Sequence, residues 1–120
     1  RPAAIATART DRPVAPHTAN SVREVPYSKP GEPFVAVGRE AARSFLVDTL
    51  AKQRMHITLD KTNWIDDEQL MIAEYASTGE FLDDHSPYAN CYVGYWFFEG
   101  ALIRRLREYY NPQARRASAI

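Results

Sequence analysis

Three groups of side chains have the types that chemistry requires. The first is Glu99, the only charge in the 16-residue run from Tyr88 to Ile103, flanked by Phe97, Phe98, Gly100 and Ala101. A buried carboxylate is costly and often functional, so Glu99 facing inward would be a proton-handling group. Facing outward, or paired with Arg104, Arg105 or a neighbouring subunit, it would be structural. The second group is Asp83-Asp84-His85, with Glu80 nearby, a carboxylate and imidazole set of the kind that binds divalent metal. Adjacent side chains diverge, so a solvated loop is the better reading. The third is Cys91, set among Tyr88, Tyr92 and Tyr95. A nucleophilic thiol needs a base within reach and a depressed pKa. None is spaced to serve Cys91, and the acidic stretch before it opposes a thiolate, so a packed, inert cysteine is expected.

Other chemistries are excluded by spacing. His17, His56 and His85 are far apart, and neither H-x-x-x-H nor C-x-x-C occurs. The stretch DKTNWIDDE lacks the glycine and fifth-position oxygen ligand of a calcium loop. No Glu-x-x-His pair supports a di-iron bundle, and no glycine-rich phosphate loop is present. A single cysteine rules out an intramolecular disulfide. A net charge of 0 gives no global attraction to nucleic acid. Pro13-x-x-Pro16 after Arg12 fits a polyproline ligand pattern that proline-rich arms meet by chance. The expectation is a chain that is not an enzyme, with no metal, cofactor, small-molecule substrate or nucleic-acid partner.

The elements that would position these groups read as all-α. Six of the eight prolines fall in residues 1–33, which predicts an extended arm without a core of its own, followed by a small helical domain over 34–120. Residues 36–54 place Ala41, Ala42, Phe45, Leu46, Thr49 and Leu50 on one arc, opposite Glu40, Arg43 and Arg54. Residues 64–77 form a second short amphipathic helix, with Asp66, Asp67 and Glu68 in its first turn and Gly79 as the stop. Ser86-Pro87 and Asn111-Pro112 bracket a third helix over 87–110, apolar and aromatic nearly all round.

That last helix governs the functional expectation. Its 16 apolar residues are short for the roughly 20 that a bilayer needs, yet two short helices cannot enclose it. Either as a short single transmembrane span or as an unburied aromatic surface, it requires a partner. Tyr88, Tyr92, Tyr95, Trp96, Phe97, Phe98 and Glu99, with the collar of Arg104, Arg105 and Arg107, are the expected contacts with partner protein or lipid. In build, the chain looks like the accessory subunits of organellar membrane complexes. That implies a non-catalytic structural subunit of a mitochondrial inner-membrane respiratory or ATP synthase complex, bound to other subunits and to lipid. The arginine- and alanine-rich opening stretch, with the single acid Asp11, adds an expectation of organelle import. Two alternatives stand beside it. One is a soluble intracellular helical adaptor that meets a basic partner through the acidic segment 60–85, which nets −7 from eight acids and Lys61. The other is an enzyme or proton-handling subunit built on Glu99.

Overall fold

The segment expected as one long helix is a pair of antiparallel strands. In the computed structural model, which describes residues 16–29, 32–65, 67 and 69–112, Pro87–Glu99 and Leu102–Tyr110 pair across a two-residue turn, Glu99 opposite Leu102. Gly100 takes φ +60° at the first position of that turn, where a tight hairpin demands a left-handed residue. The physical reason lies in the side chains. Tyr, Trp, Phe and Val fit a pleated surface, and over residues 87–98 burial alternates strictly between neighbours. Tyr88, Asn90, Tyr92, Gly94, Trp96 and Phe98 point inward; Ala89, Cys91 and Val93 point out, with Tyr95 and Phe97 half-buried on that same outer side. An apolar residue on each face imitates a helix that is apolar all round.

Among the described residues, six strands and one helix follow in the order β1 (His17–Lys29), β2 (Glu32–Val37), α1 (Arg39–Lys52), β3 (Gln53–Ile65), β4 (Leu70–Phe81), β5 (Pro87–Glu99) and β6 (Leu102–Tyr110). They form one sheet, ordered β2-β1-β6-β5-β4-β3, antiparallel throughout except where β1 runs parallel to β6. The expected all-α class is therefore overturned. Of the three expected helices only the first has a helical counterpart, α1. Trp64 and Ile65 end β3, and the 70–77 stretch belongs to β4, where Met71, Ala73, Tyr75 and Ser77 alternate inward. Asp67, expected in a helical first turn, sits in the connecting turn at φ 53°; Asp66 and Glu68, expected beside it, lie outside the described residues. The expected extended arm contributes a central strand, β1, while residues 1–15 lie outside the described part. Among the described residues no helix is long and apolar enough to cross a membrane.

Helix α1 packs against β1 and β2 at one end of the strand order and against β3 at the other. A flat sheet cannot do this, so the sheet curls around α1. Bulges supply the bend. One extra residue, Asp60, opposes the step from Tyr75 to Glu74, and another, Arg104, lies between the pairs Phe97–Arg105 and Phe98–Ile103. Most of the arc that the sequence puts on one side of α1 is turned to the sheet: Ala42 is buried, and Phe45, Leu46 and Thr49 face the hollow of the curl, whereas Ala41 is exposed. Gly38 opens the helix at φ 97°, with its amide bonded to the Ser21 carbonyl of β1 at 2.7 Å. The exposed edge, β3, carries Arg54, His56, Asp60 and Lys61 outward, charges that discourage further strand pairing.

Candidate functional site

The hollow between α1 and the curled sheet is a cavity of about 100 Å³. Every element but β2 lines it. His17 and Arg23 come from β1, Phe45, Leu46 and Thr49 from α1, and Gln53, Met55 and Ile57 from β3. Tyr75 comes from β4, Tyr88, Tyr92 and Trp96 from β5, and Leu106, Glu108 and Tyr110 from β6. The wall is mostly aromatic and aliphatic. Tyr75 stacks on Tyr92 with ring centroids 5.0 Å apart, and Trp96 and Tyr110 meet these rings edge-on. A largely apolar hollow with a few convergent polar groups is the ordinary form of a small-molecule site.

The convergent polar groups centre on Glu108, which is only 7% exposed. Arg23 donates through Nη2 to Glu108 Oε1 at 2.9 Å, and the Tyr75 hydroxyl donates to Oε2. The guanidinium also lies over the Phe45 ring, 4.8 Å from its centroid, which ties the network to the helix. A buried ion pair of this kind gives little net stability over an apolar replacement, because desolvation offsets the attraction. Burial, reinforced by the neighbouring Glu108 carboxylate, pushes the Tyr75 phenol well above its usual range, so Tyr75 is a donor and not a phenolate. A second chain of bonds lies beside it. Ser77 Oγ meets the Tyr92 hydroxyl at 2.6 Å, the Tyr92 and Tyr88 hydroxyls are 3.1 Å apart, and Asn90 Nδ2 donates to Tyr88 at 3.2 Å. Burial likewise raises Tyr92 beyond any physiological titration. His17 bonds through Nδ1 with the buried Ser21 hydroxyl at 3.0 Å. Its burial, and then the charges of Arg23, Arg43 and Arg39, bring its pKa down from 6.5 to about 4, so the imidazole is neutral at pH 7.

The side chains singled out from sequence divide between the two faces of the sheet. Tyr88, Tyr92 and Trp96 line the cavity, and Phe98 is buried in the core cluster beside it. Tyr95 and Phe97 are half-buried on the outer face, where Arg104 and Arg107 lie over the Phe97 ring at 5.2 and 5.9 Å. Arg105 and Arg107 both reach Glu24 of β1, Arg107 at 3.5 Å. Glu99 is exposed at the end of β5 and Cys91 is exposed on the outer face. The proton-handling reading of Glu99 is thereby corrected, since Glu99 lies at the sheet's end and away from the cavity. Asp83, Asp84 and His85 sit in an exposed turn; Asp84 Oδ1 accepts from the Ser86 amide at 2.9 Å, and His85 lies 3.4 Å from Glu80. No group of three or more metal-ligating side chains occurs among the described residues. The acidic segment 60–85 is the β3–β4 hairpin, and its Ala73, Tyr75, Ser77 and Phe81 are interior, not an adaptor's helical face.

Arg23, Tyr75, Glu108 and His17 were missed by sequence reasoning. Glu108 lies among Arg104, Arg105 and Arg107 and reads there as one charge in a collar. A period of two read along residues 102–110 would not have found it, because the extra residue at Arg104 breaks the alternation. Strict alternation from Ile103 would send residues 105, 107 and 109 inward; the bulge turns Leu106 and Glu108 inward instead.

No family model and no curated protein matches the sequence. Solved structures do match. A candidate isomerase from Bacillus subtilis superposes with TM-score 0.74 at 25% identity, over 82% of this chain and 71% of that one. A phenazine biosynthesis-related protein from Pseudomonas aeruginosa gives TM-score 0.72 at 20% identity, over 87% and 68%. A protein of Catenulispora acidiphila with a ketosteroid isomerase-like fold, solved in complex with trimethylamine, gives 0.69 at 17%, over 82% and 72%. With the cavity, these neighbours overturn the expected non-catalytic subunit of a mitochondrial membrane complex. They also overturn the expectations of no enzyme activity, of partners limited to subunits and lipid, and of no small-molecule substrate. In fold, the chain is similar to ketosteroid isomerase-like proteins, and its cavity sits where α1 closes the curled sheet.

Proposed function

We propose that the cavity binds one small, compact, largely apolar molecule and moves a proton within it, an isomerase-type reaction without redox change. The buried Arg23–Glu108–Tyr75 network on the wall of an otherwise apolar cavity carries this reading. A carboxylate is seldom enclosed this way for stability, because its desolvation is costly. The candidate isomerase among the fold's neighbours agrees with it.

In this reaction the Glu108 carboxylate takes a proton from a carbon beside a substrate carbonyl. The C–H electron pair moves into the carbonyl, giving an enolate, and the proton returns from Glu108 to a different carbon of the conjugated system. Arg23 and Tyr75 hold the carboxylate in place, each on its own oxygen. The aromatic wall lowers the local dielectric and so strengthens each of these interactions.

Exchange of the methyl hydrogens of acetophenone in D2O, followed by proton NMR, tests the proposal. Wild-type protein is expected to accelerate exchange over buffer. Glu108→Gln, which removes the base and keeps the shape, is expected to lose at least about 100-fold of that acceleration. Circular dichroism at the assay temperature verifies that the variant is folded. Acetophenone that binds the wild type without any faster exchange would refute the proposed reaction.

A further inference from the structure

We infer that two copies of this chain join edge to edge through β2, antiparallel, about a two-fold axis at Ala36. The inference is independent of the cavity and of the reaction proposed for it. β2 ends the strand order, and among the described residues only β1 pairs with it. The backbone shows which of its groups are left over. Val22 opposes Val37 and Arg23 opposes Ala36, so the same register sets Ser21 opposite Gly38, and the Gly38 amide donates to the Ser21 carbonyl at 2.7 Å. Backbone groups of successive residues turn to alternate sides of an antiparallel strand. Phe34, Ala36 and Gly38 therefore bond towards β1, while Val35 and Val37 turn their N–H and C=O to the open edge. Pro33 shares that parity, so its missing amide costs the β1 ladder nothing. Such an edge is a template for a further strand.

What the edge carries points to a second copy as the occupant. Residues 33–37, PFVAV, hold no charge, whereas the opposite edge, β3, carries Arg54, His56, Asp60 and Lys61 outward. Val35-Ala36-Val37 is a palindrome about Ala36, so a second copy meets it in register. Val35 opposes Val37 of the second copy, Val37 opposes its Val35, and each pair exchanges both backbone hydrogen bonds. Phe34 meets the Phe45 ring of α1 and Ala36 is buried, so the valines stand on the outer face of the sheet, 53% and 70% exposed. Pairing lays these side chains against one another across the junction. Ala36 meets its own copy at the axis, in the type of pair where side chains stand closest, and its methyl is small enough for that place. No charges oppose within the paired stretch, and Glu24, beside Val35 on β1, is held by Arg105 and Arg107. So short a pairing buries less than about 1,200 Å², the size of reversible encounters, so the dimer forms at micromolar concentrations.

Sedimentation equilibrium of the full chain between about 5 and 300 µM tests this. Wild-type protein is expected to pass reversibly from monomer to dimer over that range. Val35→Lys together with Val37→Lys sets lysine against lysine in both valine pairs and is expected to weaken the dimer at least about tenfold. Val35→Lys together with Val37→Glu sets lysine against the second copy's glutamate in both pairs. That variant is expected to dimerise at least about tenfold more tightly than the dilysine variant. Both positions are exposed, and circular dichroism verifies that the two variants keep the fold. Amide exchange locates the contact: the Val35 and Val37 amides slow as the dimer forms, while the Ala36 amide, bonded to β1, is protected at every concentration. A wild-type chain that stays monomeric over the whole range overturns the inference and leaves this edge to a different protein. A dimer that the dilysine variant leaves intact also overturns it, because the contact then lies on another face. A lysine–glutamate variant no tighter than the dilysine one overturns the register, and with it the two-fold pairing at Ala36.

Discussion

Replacing Glu108 by glutamine should cost stability in a way that its surface counterpart does not. Glu108 and Arg23 have side chains only 9% and 12% exposed, and the two Glu108 oxygens each serve a different donor. Glutamine offers one acceptor oxygen to those two donors and leaves the guanidinium without an opposing charge. Breaking a buried pair by removing one member costs about 3–5 kcal/mol. The lower end applies here, because the amide keeps the shape and the Tyr75 hydroxyl can turn to accept from it. About 3 kcal/mol corresponds to a fall in Tm of about 12–24 °C for a domain of this size. The control is Glu24→Gln, whose partner Arg105 is 36% exposed; that change should stay within about 1 kcal/mol. Urea unfolding followed by circular dichroism reads both. Adding Arg23→Met to Glu108→Gln removes the stranded charge, so the double variant should be at least about 1 kcal/mol more stable than additivity gives. A Glu108→Gln cost below about 1 kcal/mol, or one equal to that of Glu24→Gln, would refute the assignment of Glu108 as a buried, charge-paired wall residue.

Gly79→Ala should destabilise the sheet by at least about 3 kcal/mol, since its Cβ would stand 1.8 Å from the Arg54 carbonyl oxygen and 3.0 Å from Met55 Cα. That obstacle is backbone and cannot rotate aside; a Tm within about 4 °C of wild type would contradict it. His17 sets a pH dependence whose sign follows from its lowered pKa of about 4 against 6.5. Between those values the unfolded chain binds a proton that the folded one does not. Its contribution is therefore complete above pH 6.5 and declines as the pH falls towards 4. The imidazole is partly exposed, so screening leaves about 1 kcal/mol of this effect. Urea midpoints at pH 7.5 and 4.5 should differ less in His17→Gln than in wild type, and an unchanged difference would count against the burial of this ring.

The fold was legible in part. The apolar arc of residues 41–50 meets the helical template and nothing else, and α1 forms there with most of that arc turned to the sheet. The 88–98 stretch satisfied the wrong template. Its inward set of Tyr88, Tyr92, Trp96 and Phe98 and its outward set of Val93, Tyr95 and Phe97 are both apolar, so hydropathy hides the alternation that burial displays. Side-chain type was the better guide, because aromatic and β-branched residues favour the pleat. Proline count misled for β1. Pro26 lies inside a strand whose pairing with β2 becomes irregular between Val25 and Lys29, where a missing amide is tolerated.

Local sequence by itself determined the apolar face of α1 and the concentration of aromatic surface in residues 88–98 that has to be covered by something. It also excluded an intramolecular disulfide and the common metal and phosphate motifs. Tertiary structure decided what covers that surface. The inward aromatic set closes on a cavity beneath α1. The partners of the site come from distant positions: Arg23 and Glu108 are 85 residues apart, and Tyr75 is 33 from Glu108. The decisive step is the single extra residue at Arg104. Because side chains alternate with a period of two, one inserted residue reverses the face of all that follow, and so it turns Glu108 from the outer surface to the cavity wall. No local pattern announces a bulge, since its position depends on the strand it pairs with.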